Sequence, residues 1–357
     1  MDTKFPIIGV GYLEFYVANA RQAVHYFQSA FGFRPFAYSG PETGNTKSVS
    51  YALKQGEITL VFTAPIRATS EIAAHVHMHG DGVKCIALEV PDASLAFQHA
   101  LSKGARPSMF PQKHADASGE ATIAGIHAYG DTIHLLVEKK DYQGVFLPTY
   151  IDYSPVYHPD SIGIIGLDHI MSNVGWAESE FWCDFYEKAL GFERKSPFDD
   201  SDISGSHSTL MARKDQKGIR LRFPVTEPIA TNSSHKSRVE KFLTFYNGPG
   251  VQHIALGTND ILHTVRELYR RGVQFQHVMN RPNKQHVAAL RKKIGDVQTL
   301  DDMGIMVDRD AESYLFQIFT QPITDRFTVC FEIIQRLDPG EIHSHPLHGL
   351  FEAIDAC

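Results

Sequence analysis

The sequence predicts an α+β fold of four βαβββ modules, paired into two half-open β-barrel domains and closed by a C-terminal helix. Three observations carry that expectation: a repeat along the chain, helices with one apolar stripe each, and strand-like runs after each helix. The segment GVKCIALEVPDASLAFQHALSKGARP, from Gly82, lies on GVQHIALGTNDILHTVRELYRRGVQF, from Gly250. Both have a strand-like start, a polar Asx turn, a helical stretch and a Gly exit. A second pair, YLEFYVANARQAVHYFQSAFGFRPF from Tyr12 and LDHIMSNVGWAESEFWCDFYEKALGFERK from Leu167, follows the same plan. Self-similarity on this scale marks duplicated structural units.

Each element has its own justification. In the helical stretches Val24, Phe27 and Phe31, and likewise Trp182, Tyr186 and Leu190, fall three or four residues apart, so each helix presents one stripe for a sheet to cover. These aromatics are read as core. The runs YALKQGEITLVFT from Tyr51, STLMARKDQKGIRLRFPV from Ser208, and YLFQIFTQP with FTVCFEIIQR from Tyr314 and Phe327 are broken by Gly-containing or charged turns and read as strands. Such a module cannot bury its sheet alone, so two must pair around a cleft. The break falls in the Pro- and Tyr-rich segment 147–163, giving an N-terminal domain over 1–150 and a C-terminal domain over 151–357. The second half also holds an insertion, residues 279–310, that the first lacks.

A chain of 357 residues has room for two such domains. With 43% apolar and 21% charged residues and a net charge of −7, it reads as a globular protein with no basic face for nucleic acid. No stretch approaches the roughly 18 uninterrupted apolar residues of a membrane span, and the start MDTKFPIIGVGYLEF lacks a basic region followed by an apolar core. A cytoplasmic protein is expected. Its four cysteines form no CxxC pair, so reduced thiols are expected.

Comparing repeats locates the chemistry. His169 in the third module and His253 in the fourth stand at corresponding first-strand positions, with Glu14 and Cys85 as their N-terminal counterparts. Glu332 is a charge within the apolar run VCFEII, and Leu136 is its apolar counterpart. An unpaired carboxylate buried in a strand is costly, and a divalent cation is the usual remedy. Two neutral imidazoles and one carboxylate on a common face make the facial triad of non-haem Fe(II) oxygenases. A closed zinc site would require a fourth protein ligand, and none is evident. The N-terminal domain is expected to lack a metal site.

The order LDHIMSNV, GPGVQHIAL, GIMVDRD, LFQIFTQP and FEIIQR resembles the 4-hydroxyphenylpyruvate dioxygenase and 4-hydroxymandelate synthase family of the vicinal oxygen chelate superfamily. The resemblance covers nearly the whole chain, including QGEITLVFT, HGDGV and FLPTY in the first half. It implies Fe(II) held by His169, His253 and Glu332, with Gln252, Gln317, Phe319 and Ser208 around a 2-oxo acid. It also implies O2 as co-substrate, a substrate that supplies its own reductant, a place in tyrosine catabolism, and a homo-oligomer (dimer or tetramer).

Alternation places Gln317 and Phe319 on one side of their strand. Gln252 would point away from the face of His253 unless the backbone bulges there. The sequence departs from the dioxygenase pattern at Thr226, where an Asn is usual, at Arg238, where a Gln is usual, and at Cys330, where an aromatic residue is usual. Arg238 is expected to pair with Glu240 or with an acidic substrate group. The tail GEIHSHPLHGLFEAIDAC lacks the family's aromatic clamp, for which His345 or His348 would substitute, and a short lid helix is expected over 347–356. The leading expectation is oxidation of 4-hydroxyphenylpyruvate to homogentisate. 4-Hydroxymandelate synthase or a dioxygenase of another 2-oxo acid is the alternative, followed by an extradiol catechol dioxygenase. A metal-free small-molecule binding protein is the reading from another class.

Overall fold

The computed structural model of the chain describes residues 5, 7–199, 205–214, 220–230, 236–276, 297–310 and 313–337. The expected lid helix, with His345 and His348, lies outside the described residues, as does most of the insertion.

The βαβββ order recurs four times. The first module is β1 (Gly9–Tyr16), α1 (Ala20–Ser29), β2 (Arg34–Ser39), β3 (Ser48–Gln55) and β4 (Ile58–Pro65). Helix α2 (Glu71–His79) leads to β5 (Gly82–Glu89), α3 (Ala93–Ser102), β6 (Pro107–Asp116), β7 (Gly119–His127) and β8 (Ile133–Glu138). The short β9 (Ile151–Asp152) pairs with β2, and the chain enters the second sheet at β10 (Ile164–Asn173). There follow α4 (Ser179–Leu190), β11 (Glu193–Asp199), β12 (Ser206–Lys214), β13 (Arg220–Pro228) and α5 (Arg238–Tyr246). The fourth module is β14 (Gly250–Thr258), α6 (Ile261–Arg270), α7 (Val297–Asp302), β15 (Met306–Asp310), β16 (Ser313–Phe319) and β17 (Cys330–Leu337). None of the described helices is long and apolar enough to cross a membrane.

Helix starts follow local chemistry. Asn19, Asp92 and Asp260 each accept a hydrogen bond from a first-turn backbone N–H, and Ser237 forms a capping box with Glu240. The stripe residues Val24, Phe27, Phe31, Trp182, Tyr186 and Leu190 are all buried. The linking helix α2 was not expected, because it is short and lies between modules.

The two curled mixed sheets have matching strand orders, β6-β7-β8-β5-β1-β4-β3-β2-β9 and β11-β12-β13-β10-β14-β17-β16-β15. In each, the first strands of two modules pair antiparallel at the centre, β1 with β5 and β10 with β14. Their parallel partners are β4 and β8, or β13 and β17.

This register corrects two equivalences between repeats. Tyr12 sits opposite Ala87 as His169 sits opposite Ala255, so the counterpart of His169 is Tyr12 rather than Glu14, which matches Met171. Helix α4 has 12 residues against 10 in α1, so no ungapped alignment of those segments fixes the register. Likewise Leu135 pairs with Ala87 as Glu332 pairs with Ala255, so the counterpart of Glu332 is Leu135 rather than Leu136. Strand faces alternate, and a slip of one residue exchanges the cleft for the core.

The two halves share one core. On β17 the ring of Phe331 meets Phe15, Phe27 and Phe31 of the N-terminal half, with centroids 6.3, 5.3 and 5.3 Å apart. Its neighbours Cys330 and Glu332 turn to the opposite face.

Across the same joint the buried His134 of β8 donates from Nδ1 to the Ile86 carbonyl and accepts from the Tyr186 hydroxyl of α4 at Nε2. Burial pushes its pKa from 6.5 down to about 4. Between those values the unfolded chain binds a proton that the fold refuses. Stability from this group is therefore intact above pH 6.5 and lost as the pH falls toward 4, by up to about 3 kcal/mol. Urea unfolding at about pH 7 and about pH 5 checks this: His134→Gln should narrow the drop in midpoint, and a drop equal to that of the wild type would rule it out.

Candidate metal centre

The inner face of the second sheet brings three donors to one point. His169 Nε2 lies 3.0 Å from His253 Nε2 and 3.1 Å from Glu332 Oε2, and His253 Nε2 lies 3.4 Å from that same oxygen. All three side chains are buried. They come from the central strands β10, β14 and β17, whose register sets Ala255 beside both His169 and Glu332.

Both imidazoles are oriented from behind by a bulge. Leu167 faces Leu256 and His169 faces Ala255, which leaves Asp168 as an extra residue on β10. Met171 faces His253 and Ser172 faces Val251, which leaves Gln252 extra on β14. A bulge breaks the alternation of side chains, so the residue before each histidine can turn back to it. Accordingly, His169 Nδ1 donates to Asp168 Oδ1 at 2.9 Å, and His253 Nδ1 donates to the amide oxygen of Gln252 at 2.6 Å. With a proton on each Nδ1, both Nε2 lone pairs aim at the shared point.

Asp168 is itself anchored. It accepts from Arg336 Nε and Nη2 at 2.8 and 2.9 Å and from Arg222 Nη1 at 3.3 Å. Burial raises the carboxyl pKa, but the Arg336 and Arg222 guanidiniums outweigh it and hold Asp168 well below the usual carboxylate range.

Without a cation, a proton on His169 stands in for it, and that imidazolium holds the Glu332 carboxyl below its usual range. Burial alone would depress His169, yet the Glu332 and Asp168 carboxylates hold its pKa at about 9. Burial drives His253 down to about 4. Neither oxygen of Glu332 has a well-aligned hydrogen bond, although both imidazoles are close. Two lone pairs and a buried carboxylate converging on one point suit a divalent cation. Donor atoms at neighbouring corners of an octahedron, with bonds of about 2.1–2.2 Å, lie about 3.0 Å apart, close to the separations seen here. The residues fit a metal.

The other expected site residues take varied places. Cross-strand pairing sets Phe319 beside Glu332 and Gln317 beside Ile334, so both lie on the ligand-bearing face. The Phe319 ring stands edge-on to His253, with centroids 5.2 Å apart. Cys330 lies on that face two residues before Glu332, and burial pushes its thiol up to about 11. Ser208 and Thr226 are paired across β12 and β13 and share a buried hydroxyl contact of 2.8 Å. Ser50 and Thr63 repeat that contact in the first half, also at 2.8 Å.

Arg238 does not pair with Glu240, whose carboxylate caps the backbone N–H of Ser237 at 2.8 Å. It is buried and donates from Nη2 to Gln276 Oε1 at 2.8 Å, with its guanidinium 5.3 Å from the Phe327 ring centroid. The sequence reading missed Asp168, Arg222 and Arg336. The bulge logic raised for Gln252 applies equally to the Asp in LDHIMSNV and would have found the first.

Comparison with known proteins shows the chain's family. The model for "Hydroxyphenylpyruvate dioxygenase, HPPD, N-terminal" matches residues 2–154, and that for "Glyoxalase/Bleomycin resistance protein/Dioxygenase superfamily" matches residues 166–306. The chain is 38% identical to a 4-hydroxyphenylpyruvate dioxygenase of Yarrowia lipolytica, covering 97% of this chain and 91% of that one. It is 36% identical to one of Dictyostelium discoideum, covering 97% of each. Among solved structures, a triple mutant of 4-hydroxymandelate synthase from Streptomyces coelicolor superposes with a TM-score of 0.83 at 28% identity, covering 98% of both chains.

Proposed function

The chain belongs to the 4-hydroxyphenylpyruvate dioxygenase family, and on that premise we propose that it converts 4-hydroxyphenylpyruvate and O2 to homogentisate and CO2. The proposed centre is Fe(II) held by His169, His253 and Glu332. Convergence of those three buried donors within 3.0–3.4 Å of one another carries the proposal. Bound there, Fe(II) would keep positions free for chelation of a 2-oxo acid and for activation of O2.

The chain's own residues do the rest. Asp168 and Gln252 act as positioning residues, holding the proton on each Nδ1 so that each Nε2 stays a ligand. Phe319 offers a ring face beside the metal, and Gln317, two residues earlier, offers an amide to orient the substrate. Ser208 and Thr226 form a polar wall of the same cleft. Burial of the ligands excludes water from the reacting atoms. The N-terminal half, with Tyr12, Cys85 and Leu135 at the equivalent positions, supports β17 from behind. The same reading makes the protein a cytoplasmic homo-oligomer.

Arg238 supplies positive charge where the family usually has an amide, suited to an anionic 2-oxo acid. Arg238→Gln should raise the KM for 4-hydroxyphenylpyruvate by on the order of 10-fold, the value of a charge-assisted hydrogen bond, with iron content unchanged. An unchanged KM would remove Arg238 from substrate binding.

Structural similarity to a 4-hydroxymandelate synthase makes 4-hydroxymandelate the specific alternative product. The two products are isomers, so they are separated chromatographically after aerobic incubation of the Fe(II)-loaded protein. Homogentisate is expected. 4-Hydroxymandelate would move the assignment to the synthase, and absence of turnover would reject this substrate.

A further inference from the structure

We infer that the chain carries a second divalent-cation site, of the zinc class, formed by His75, His79 and Asp131 where α2 meets α5. The inference is independent of the iron centre, and it departs from the expectation that the N-terminal domain lacks a metal site. His75 and His79 stand one turn apart on α2 and so share a face. Asp131 reaches them from the turn between β7 and β8, and one ligand atom from each residue lies within 4.8 Å of the other two.

The hydrogen bonds select which atoms are available. His79 Nδ1 donates to the Tyr246 carbonyl of α5 at 2.6 Å, which fixes the proton there. Its Nε2 lone pair then faces Asp131 Oδ2 at 2.9 Å. A lone pair directed at a carboxylate requires a positive charge between them, either a proton or a metal ion. An imidazole held from behind by a backbone carbonyl is a common way to present a ligand nitrogen to a metal.

His75 argues for the metal. It is only 6% exposed, and neither ring nitrogen has a hydrogen-bond partner among the described residues. Buried, with both nitrogens unpartnered among the described residues, the ring can present a nitrogen to a metal. A proton shared by His79 and Asp131 would leave both His75 nitrogens unsatisfied, whereas a metal ion bound by all three would engage one of them. The rings of His75 and His79 lie 4.6 Å apart, and Tyr16 stands edge-on to His75 at 5.3 Å. Lys84 donates to the Asp131 backbone carbonyl and not to its carboxylate oxygens. The Asp131 side chain is 62% exposed, so solvent can complete the coordination.

Two imidazoles and a carboxylate with an open position form a set that Zn2+ favours. A bound ion would tie α2 and the β7–β8 turn to the end of α5, whose first residue is Arg238. Arg326, between β16 and β17, also holds the end of α2 by donating to the carbonyls of His77 and Met78.

The test is equilibrium dialysis of the chelator-treated full chain against Zn2+ alone, with bound zinc counted per chain. His75→Ala removes the ring that makes no hydrogen bond, and Asp131→Asn changes a surface carboxylate, so between them at least one folded variant is secured. Each folded variant, verified by circular dichroism, is expected to bind one equivalent fewer than the wild type, or to hold that equivalent at least tenfold more weakly. A zinc count and affinity equal to the wild type in the folded variants would overturn the site and leave His79–Asp131 as a hydrogen-bonded pair.

Discussion

Glu332→Gln should abolish Fe(II) retention and lower turnover by on the order of 10³-fold or more. The substitution keeps the shape of the side chain and removes its charge. Unit charges about 4 Å apart at an effective dielectric near 20 interact by about 4 kcal/mol, a dication doubles that, and each 1.4 kcal/mol is tenfold in affinity. Folding should survive, because Phe331, not Glu332, anchors β17 to the N-terminal half. The metal-free variant should melt below the metal-free wild type at neutral pH, since His169 loses the carboxylate that holds its proton. Iron analysis after anaerobic loading, together with a thermal melt, reads both effects. A Gln variant that retains iron like the wild type would remove Glu332 from the ligand set.

The second large effect is expected one residue from a ligand. Asp168→Asn should weaken Fe(II) binding by roughly 10–100-fold, the range for groups that orient a metal ligand from behind. It should also destabilise the fold, because Arg336 and Arg222 lose a shared, largely buried counterion. The loss should fall below the roughly 3–5 kcal/mol of a fully buried network, because all three side chains keep some contact with solvent. Gln252→Met, which removes a neutral acceptor from His253, should affect metal affinity without the charge imbalance. If Asp168→Asn lost stability but kept the iron affinity of the wild type, Asp168 would be a structural ion-pair residue and not a positioning one.

What could be read from the sequence follows from physical scale. The modules were visible because duplication preserves hydrophobic spacing, and the three proposed ligands stood out because Glu332 interrupts an apolar run while both histidines fall at repeated positions. Contacts between distant segments were not visible: Arg336 reaches Asp168 across 168 positions of the chain. Bulges were equally hidden. Plain alternation turns Gln252 away from His253, and only the extra residue on β14 lets its amide hold the ring. Register failed for the same reason, giving Glu14 and Leu136 where the paired strands place Tyr12 and Leu135. Arg238 and Glu240 are close in sequence, yet the capping box spends Glu240 on the start of α5 and leaves the guanidinium to Gln276.

The central claim is that one ferrous ion is held by His169, His253 and Glu332. Anomalous diffraction at the iron edge, from crystals loaded anaerobically with Fe(II), tests it most directly. A peak within about 2.2 Å of His169 Nε2, His253 Nε2 and a Glu332 carboxylate oxygen is predicted. Iron bound elsewhere, with no peak among these three atoms, would contradict it.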